Sequence, residues 1–207
     1  MTGPGERPAA PPLREGARAA GRWLYRHRSL TPLPLVLLLL LFARPSAPSL
    51  AFGLPPVLLG ETIRLAALRH IGGASRSTRM GAERLVDTGP YAWVRNPLYA
   101  GNLFLSAGLA VCSGVVWLPP LLLLLFVLQY GPIIAAEEEE MARRFPEEWP
   151  AYARRVPRIL PGRPRVGGRG EPSGWTQAIR TERRSLTSVA LLLGFLIFRL
   201  IQGRAAS

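Results

Sequence analysis

The sequence predicts an all-α, polytopic integral membrane protein with about five transmembrane helices and with catalytic loops on the cytoplasmic side. Two observations support this fold class. Hydrophobic residues, 48% of the 207, gather in Leu-rich blocks, whereas a soluble domain mixes apolar and polar residues at helix or strand period. The net charge of the chain is +13, most of its charged residues lie in the polar stretches outside these blocks, and the basic residues are Arg with no Lys. Such separation of apolar and charged residues is typical of a membrane protein.

The basic N-terminal segment, residues 1–29, precedes the first apolar block. Its first twelve residues are rich in Pro, Gly and Ala, and this composition predicts partial disorder. Trp23 and Tyr25 then alternate with arginines, as expected for the flank of a membrane helix. No small-residue cleavage site clearly follows the apolar run, so we expect this segment to be retained and not removed as a signal peptide.

Five apolar blocks are interpreted as membrane spans. The first is short against the roughly 20 residues that a crossing helix needs. In the fourth, Pro119-Pro120 and Gly131-Pro132 are expected to kink or locally open the helix. The predicted spans are 30–43, 50–71, 98–112, 116–136 and 186–201. The membrane core is thus predicted at 30–161, followed by an Arg-, Gly- and Pro-rich cytoplasmic linker at 162–185 and a last helix with its tail at 186–207.

The arginines predict the orientation of these spans. They are dense before the first span, after the second and after the fourth, whereas the turns after the first and third carry one and none. With cytoplasmic loops enriched in Arg, the N-terminus is predicted to be cytoplasmic. The Arg-only usage suggests a GC-rich genome and hence the inner membrane of a bacterium. Nucleic-acid binding is the competing explanation for so much Arg, but the arginines sort by loop and no aromatic-basic reader module is present, so no nucleic-acid partner is expected.

The single cysteine, Cys112, lies in an apolar block and matches no metal-ligand spacing. We therefore expect no intrachain disulfide and no metal site.

The first polar segment with chemical potential is 83–102. Gly89-Pro90 predicts a turn, and Asn96-Pro97 predicts a helix cap followed by Pro at the first helical position. The free N–H groups and positive dipole end of that helix, beside Arg95, suit a carboxylate or another anion. The alternative is an ordinary helix entry with an interfacial belt of aromatic residues: Tyr91, Trp93 and Tyr99.

The second such segment, 137–161, opens with four consecutive glutamates directly after the fourth span. We expect one or two of them to pair with arginines or to bind a polar ligand group. Phe145, Trp149 and Tyr152 recur at three- to four-residue spacing and could form one apolar stripe in the membrane interface. The alternative is an amphipathic surface helix without chemistry.

Together the two segments resemble the isoprenylcysteine carboxyl methyltransferase family of membrane methyltransferases. The resemblance covers roughly residues 50–161. It rests on the order and spacing of LV-x-TG-PY at 85–91, AW-x-RNP-x-Y at 92–99, the acidic pair Glu137-Glu138, Phe145, Tyr152 and RVP at 155–157. Members of this family often have His where this chain has Glu83 and Asn96, which weakens any case for a His base.

The resemblance implies S-adenosylmethionine as methyl donor and an amphiphilic, lipid-like or prenylated acceptor that arrives from the lipid bilayer. No obligate protein partner is evident from the sequence. The resemblance nominates Arg95 and Glu138 as catalytic. The residues that it implies for cofactor binding are Leu85, Gly89, Pro90, Tyr91, Arg95, Asn96, Pro97, Tyr99, Glu137 and Glu138.

The chemistry of the acceptor stays open at this point. A carboxylate is already anionic and needs no base, whereas an amine must lose a proton before it is methylated. The absence of a credible His therefore favours carboxylate O-methylation, with phospholipid amine N-methylation as the alternative. A NADPH-dependent membrane reductase is a further alternative, because sterol-type reductases carry a loosely similar Arg-x-x-x-Tyr helix entry. A non-catalytic membrane scaffold is the last alternative.

Overall fold

A computed structural model describes residues 15–28, 30, 32–71, 84–162 and 172–205. The predicted disorder of the first twelve residues, Glu83 and residues 163–171 of the predicted linker lie outside the described residues.

The described residues form seven α-helices and one short 3-10 turn, without a β-strand, which confirms the all-α prediction. The 3-10 turn, Gly89–Ala92, lies between the third and fourth helices. The helices are α1 Glu15–Arg26, α2 Leu33–Phe42, α3 Ala47–Ile71, α4 Pro97–Cys112, α5 Leu118–Arg144, α6 Trp149–Arg155 and α7 Trp175–Ala205.

Three of these helices, α3, α5 and α7, are long and apolar enough to cross a membrane. The shorter helices α2 and α4 are also apolar. These five helices coincide with the five predicted apolar blocks, and many of their large side chains face outward, as lipid-facing residues do. The chain is therefore an integral membrane protein.

Two helical segments were not predicted. Helix α1 lies within the N-terminal segment, and α7 begins at Trp175, well before the start of the span predicted at 186. About a third of the residues in both stretches are charged, so the stretches resemble loops when apolar content alone is counted. In α7, however, Ala178, Glu182 and Val189 are all buried, and their spacing places them on one helix face.

The prediction that Pro119-Pro120 interrupts the fourth span is wrong. Helix α5 begins at Leu118, so both prolines lie in its first turn, where backbone N–H groups have no partner within the helix. Pro132 lies inside α5, but the helix continues through it to Arg144.

Glycines bring α3 and α4 into close antiparallel contact. A Cβ added at Gly60 would lie 2.6 Å from the Gly101 carbonyl oxygen, and one added at Gly108 would lie 2.6 Å from that of Gly53. Small residues allow membrane helices to approach at backbone distance. This contact fixes the start of α4 beside the end of α3, where the candidate site lies.

The terminal helices pack against this central group. Helix α1 lies on α5, where Gly21 fits against Pro132 and Ala136. Helix α7 lies on α3, and Ser185 donates a hydrogen bond to Glu61 at 3.3 Å. At the opposite end of the bundle, the Arg44 N–H donates to the Ser113 carbonyl at 2.8 Å and Arg199 donates to that of Ala43 at 3.2 Å.

Candidate functional site

The 3-10 turn positions the chain before α4. Gly89 has a φ of 56°, a left-handed conformation that glycine adopts without steric cost. A side chain at this position would also collide with the His70 imidazole. The Pro90 carbonyl accepts the N–H groups of Trp93 and Val94, both at 3.1 Å. Gly89 and Pro90 therefore form the turn itself, and neither lines the cavity described below.

The segment after this turn pairs with the segment after α6. The Arg95 N–H donates to the Pro157 carbonyl at 2.8 Å, and the Asn96 N–H donates to that of Arg158 at 3.2 Å. Asn96 occupies the N-cap position of α4 and Pro97 the first turn, as predicted, but the Asn96 side chain makes no capping hydrogen bond. Its amide donates instead to the Arg158 carbonyl at 3.2 Å and to the Glu138 carboxylate at 3.1 Å.

The Glu138 carboxylate joins three parts of the site. Its Oε1 lies 3.4 Å from Arg95 Nε, and its Oε2 accepts hydrogen bonds from Arg158 Nε at 3.0 Å and Nη2 at 2.7 Å. Glu138 is only 7% exposed, so its negative charge depends on these cationic partners. The prediction that a glutamate of this run pairs with arginines is confirmed, and Glu140 makes further pairs with Arg143 and Arg144.

Glu137 has different surroundings from its neighbour. Its carboxylate forms a hydrogen bond with Tyr99 of α4, and Arg28, just after α1, lies close enough to act on it electrostatically. The Arg28 guanidinium lies 3.9 Å from the centre of the Tyr25 ring. Sequence reasoning missed Tyr25 and Arg28, because nothing local indicates that the N-terminal helix folds back onto α5.

An aromatic cluster on α6, formed by Trp149 and Tyr152, packs beside the paired segments. Trp149 and Tyr152 of α6 are buried against Leu85 and Met141, so the predicted aromatic stripe packs inside the protein. The Tyr152 hydroxyl donates to the Tyr91 carbonyl at 2.9 Å. Burial raises the pKa of Tyr91 and of Tyr152 well above the ordinary tyrosine value, so both phenols are neutral hydrogen-bond donors across the physiological range.

These elements enclose a cavity of about 550 Å³, within the range of about 300–1,000 Å³ that is usual for small-molecule sites. It lies where the end of α3, the start of α4, the end of α5 and the start of α7 meet. Eight of the ten residues nominated from the sequence line it: Leu85, Tyr91, Arg95, Asn96, Pro97, Tyr99, Glu137 and Glu138.

A second polar group lines the same cavity and was not predicted. Arg64 of α3 bonds to Glu182 of α7 and to Asn102 of α4, and Asn102 also forms a hydrogen bond with Tyr130 of α5. Arg64 was visible in the sequence as a charge within a span, which is a signal for function in membrane proteins. Its partner could not be read from the sequence, because Glu182 lies 118 positions away.

Within the described part of the chain, no group of three or more His, Cys, Asp and Glu side chains is arranged to hold a metal ion.

Fold and site together define an integral membrane protein with a polar cavity at one end of its helices. A family model described as phospholipid methyltransferase matches residues 48–148. These residues contain α3, the 3-10 turn, α4 and α5, and so most of the cavity wall. Residues 48–148 thus match the model of a methyltransferase family, and the predicted resemblance to the isoprenylcysteine methyltransferases is confirmed.

Individual proteins also match the chain. The cobalt-zinc-cadmium resistance protein CzcN of Cupriavidus metallidurans is 33% identical over 145 residues, 70% of this chain and 62% of that protein. The nickel-cobalt-cadmium resistance protein NccN of Alcaligenes xylosoxydans xylosoxydans is 36% identical over 116 residues, 56% of this chain and 51% of that protein. Protein-S-isoprenylcysteine O-methyltransferase of Mus musculus is 33% identical over 119 residues, 54% of this chain and 41% of that protein.

The chain thus spans between about two fifths and three fifths of the length of these relatives. No solved structure matches the chain significantly.

Proposed function

We propose that this protein transfers a methyl group from S-adenosylmethionine to a lipid-like or prenylated acceptor at the cytoplasmic face of the membrane. The observation that carries the proposal is the cavity, because it gathers eight of the ten nominated residues, from the 3-10 turn and the segments beside it, from α4 and from α5, within the segment that matches the methyltransferase family. The position of the cavity at one end of apolar helices suits an acceptor whose tail stays in lipid.

The residues of the cavity suit the donor. S-adenosylmethionine carries an ammonium, a sulfonium, a carboxylate, ribose hydroxyls and an adenine ring, so its site needs carboxylate oxygens, a guanidinium and aromatic surface. Glu137 supplies a carboxylate that faces the cavity, Arg28 supplies a guanidinium near it, and Tyr99 and Tyr91 supply rings. When bound, the donor would supply a methyl carbon on a positively charged sulfur, which leaves as a neutral thioether as the acceptor oxygen or nitrogen bonds to that carbon.

Arg95 and Glu138, the residues nominated as catalytic, take a positioning role in this proposal. Each is already engaged by the other, and Glu138 is engaged by Asn96 and Arg158 as well. They hold the entry to α4 against the end of α5, and this keeps Tyr99 beside Glu137. Fixed geometry and exclusion of water are what a displacement reaction needs from a protein.

Acceptor chemistry remains the second part of the proposal. In the residues that the structure describes, the cavity lining contains no His, so no imidazole is placed to take a proton from an amine. This favours an acceptor oxygen that is already anionic, and phospholipid amine N-methylation stays the alternative. The mouse relative methylates an oxygen by its name, whereas the names of the two bacterial relatives describe metal resistance.

Ligand binding to the purified full chain tests this proposal. We expect S-adenosylhomocysteine, the demethylated donor, to bind and to raise the melting temperature, and NADPH to do neither. In membranes supplied with methyl-labelled S-adenosylmethionine, label should enter an organic-extractable or membrane-bound product. Binding of NADPH alone would favour the reductase alternative, binding of neither would favour the scaffold, and label confined to water-soluble products would exclude a lipid-like acceptor.

A further inference from the structure

Three helices meet in a buried polar cluster on the wall of the cavity formed by α3, α4 and α7. Arg64 Nε donates to Glu182 Oε1 at 2.8 Å, and Arg64 Nη2 contacts the same oxygen. Arg64 Nη1 donates to Asn102 Oδ1. Glu182 is 3% exposed, and all three side chains line the cavity.

Ionisable groups inside a membrane protein are costly and usually mark a functional site. A packing role alone would be served as well by apolar side chains, because burying an ion pair commonly gains little stability over them. The cluster also faces a cavity of ligand size, which pure packing does not require. A ligand that accepts hydrogen bonds from Arg64 and Asn102 would explain why the chain keeps this polar cluster.

The cluster is connected to the opposite wall of the cavity. Tyr130 forms a hydrogen bond with Asn102, and its ring centre lies 5.0 Å from that of Tyr99. Tyr99 in turn bonds to Glu137, the carboxylate proposed to face the methyl donor. A group held at the cluster would therefore lie in the same cavity as the donor and across from Glu137.

Hydrogen-bonding capacity indicates which head group fits. Arg64 lies beside the carboxylates of Glu182 and Glu61, and its guanidinium, with five N–H groups, keeps donors beyond the three used here. The Asn102 oxygen is occupied by Arg64 and one amide N–H by Tyr130, so the second amide N–H is the one that can meet a ligand. Of the described charged residues lining the cavity, five are arginines and three are glutamates: Arg28, Arg64, Arg84, Arg95, Arg184, Glu137, Glu138 and Glu182. Both the donors and the positive surplus favour an anionic, oxygen-rich group.

We infer that Arg64, Asn102 and Tyr130 form the subsite for the acceptor's head group, which is a carboxylate or a phosphate. Glu182 of α7 is the positioning residue that orients Arg64. The assignment of this subsite to a methyl acceptor rests on the proposed methyl transfer. The contact with the head group can be measured separately. Glu182 of α7 lies beyond the matched residues 48–148, so this positioning residue is not part of the segment that the family model describes.

The test compares three probes that share a twelve-carbon chain: dodecanoate, dodecyl phosphate and dodecylammonium. Their dissociation constants are measured with the full chain in a neutral maltoside detergent, and the S-adenosylhomocysteine constant is measured in parallel. We expect one or both anionic probes to bind at least about tenfold more tightly than dodecylammonium. The tighter of the two identifies the head group as carboxylate or phosphate.

Variants then locate the contact. Arg64→Gln and Asn102→Leu should each weaken the preferred anionic probe about tenfold, and Arg64→Lys less, while the S-adenosylhomocysteine constant stays within about twofold. Glu182→Gln should weaken the probe several-fold through Arg64. Arg180→Gln, an exposed position of α7, is the matched control and should bind as the unaltered chain does.

Two results would overturn the inference: equal or tighter binding of dodecylammonium, or unchanged anion binding in Arg64→Gln and Asn102→Leu. If Arg64→Gln does not fold, Arg64→Lys and Asn102→Leu carry the test. Absence of S-adenosylhomocysteine binding to the unaltered chain would contradict the proposed methyl transfer and would leave the measured head-group preference standing by itself.

Discussion

Glu138 of α5 accepts two hydrogen bonds from the guanidinium of Arg158, at 3.0 Å from Nε and 2.7 Å from Nη2. The other carboxylate oxygen of Glu138 faces Arg95 and Asn96. One buried side chain thus connects the end of a membrane helix to two segments that lie about sixty residues apart in the sequence. Its neighbour Glu137 faces the cavity, so two adjacent glutamates have separate tasks.

The Glu138 contacts predict coupled losses. Glu138→Gln removes a carboxylate charge beside the largely buried Arg95, and we expect a lower melting temperature and at least about tenfold weaker S-adenosylhomocysteine binding. Arg158→Ala should cost less, because its side chain is 44% exposed. The double variant should lose no more stability or affinity than Glu138→Gln alone, since both changes remove the same interaction between Glu138 and Arg158. Arg143→Ala, which breaks an exposed pair with Glu140, is the control and should change little. Additive losses in the double variant would contradict the coupling.

Glu137 is predicted to contact the donor directly. Glu137→Gln should weaken S-adenosylhomocysteine binding at least about tenfold, because loss of a charge-assisted hydrogen bond costs roughly 1.5–3 kcal/mol. The melting temperature without ligand should change little, because Gln can keep the contact with Tyr99. The matched control is Glu147→Gln, an exposed glutamate in the turn before α6. Equal affinities of the Glu137 and Glu147 variants would remove Glu137 from the donor site.

The glycine contact of α3 and α4 predicts a sharp steric effect. In Gly60→Ala the new methyl group would lie 2.6 Å from the Gly101 oxygen and from the Leu105 nitrogen, and neither backbone atom can move alone. Overpacking of this kind costs about 1–3 kcal/mol, so we expect a clear fall in melting temperature. Gly194→Ala in α7 is the control, because no described atom lies within 4 Å of its added methyl group. A stable Gly60→Ala protein would mean that the two helices can separate locally without loss.

The orientation in the membrane is tested by labelling single cysteines. With Cys112 replaced by Ala, Ala47→Cys and Glu147→Cys place exposed thiols at opposite ends of the helices. In intact bacterial cells an impermeant maleimide should label position 47 and not position 147, and both should react after lysis. Labelling of position 147 alone in intact cells would reverse the proposed orientation and place the cavity on the outer face.

The sequence allowed prediction of the five apolar helices because hydrophobic blocks depend only on local composition. It also allowed the loop and the glutamates to be assigned to one site, through the resemblance and through the antiparallel return of α4 and α5. The contact between Arg64 and Glu182 could not be predicted, since it depends on how α7 packs on α3. The same holds for Tyr25 and Arg28, which reach the cavity only because Gly21 lets α1 lie close to α5.

The two ends of the chain, with helices α1 and α7, therefore complete a cavity whose wall comes mostly from the central segment, residues 48–148. Tyr25 and Arg28 enter from one end of the chain and Glu182 from the other. We expect the central segment, which carries Glu137 as well as Arg64, Asn102 and Tyr130, to contact both donor and acceptor, and the two ends to set how firmly those residues are held. A chimaera that keeps residues 48–148 and exchanges the ends for those of a relative should then keep its donor and its preference for an anionic head group and change only its affinity for each, so that affinities could shift in evolution without any change in the reacting centre.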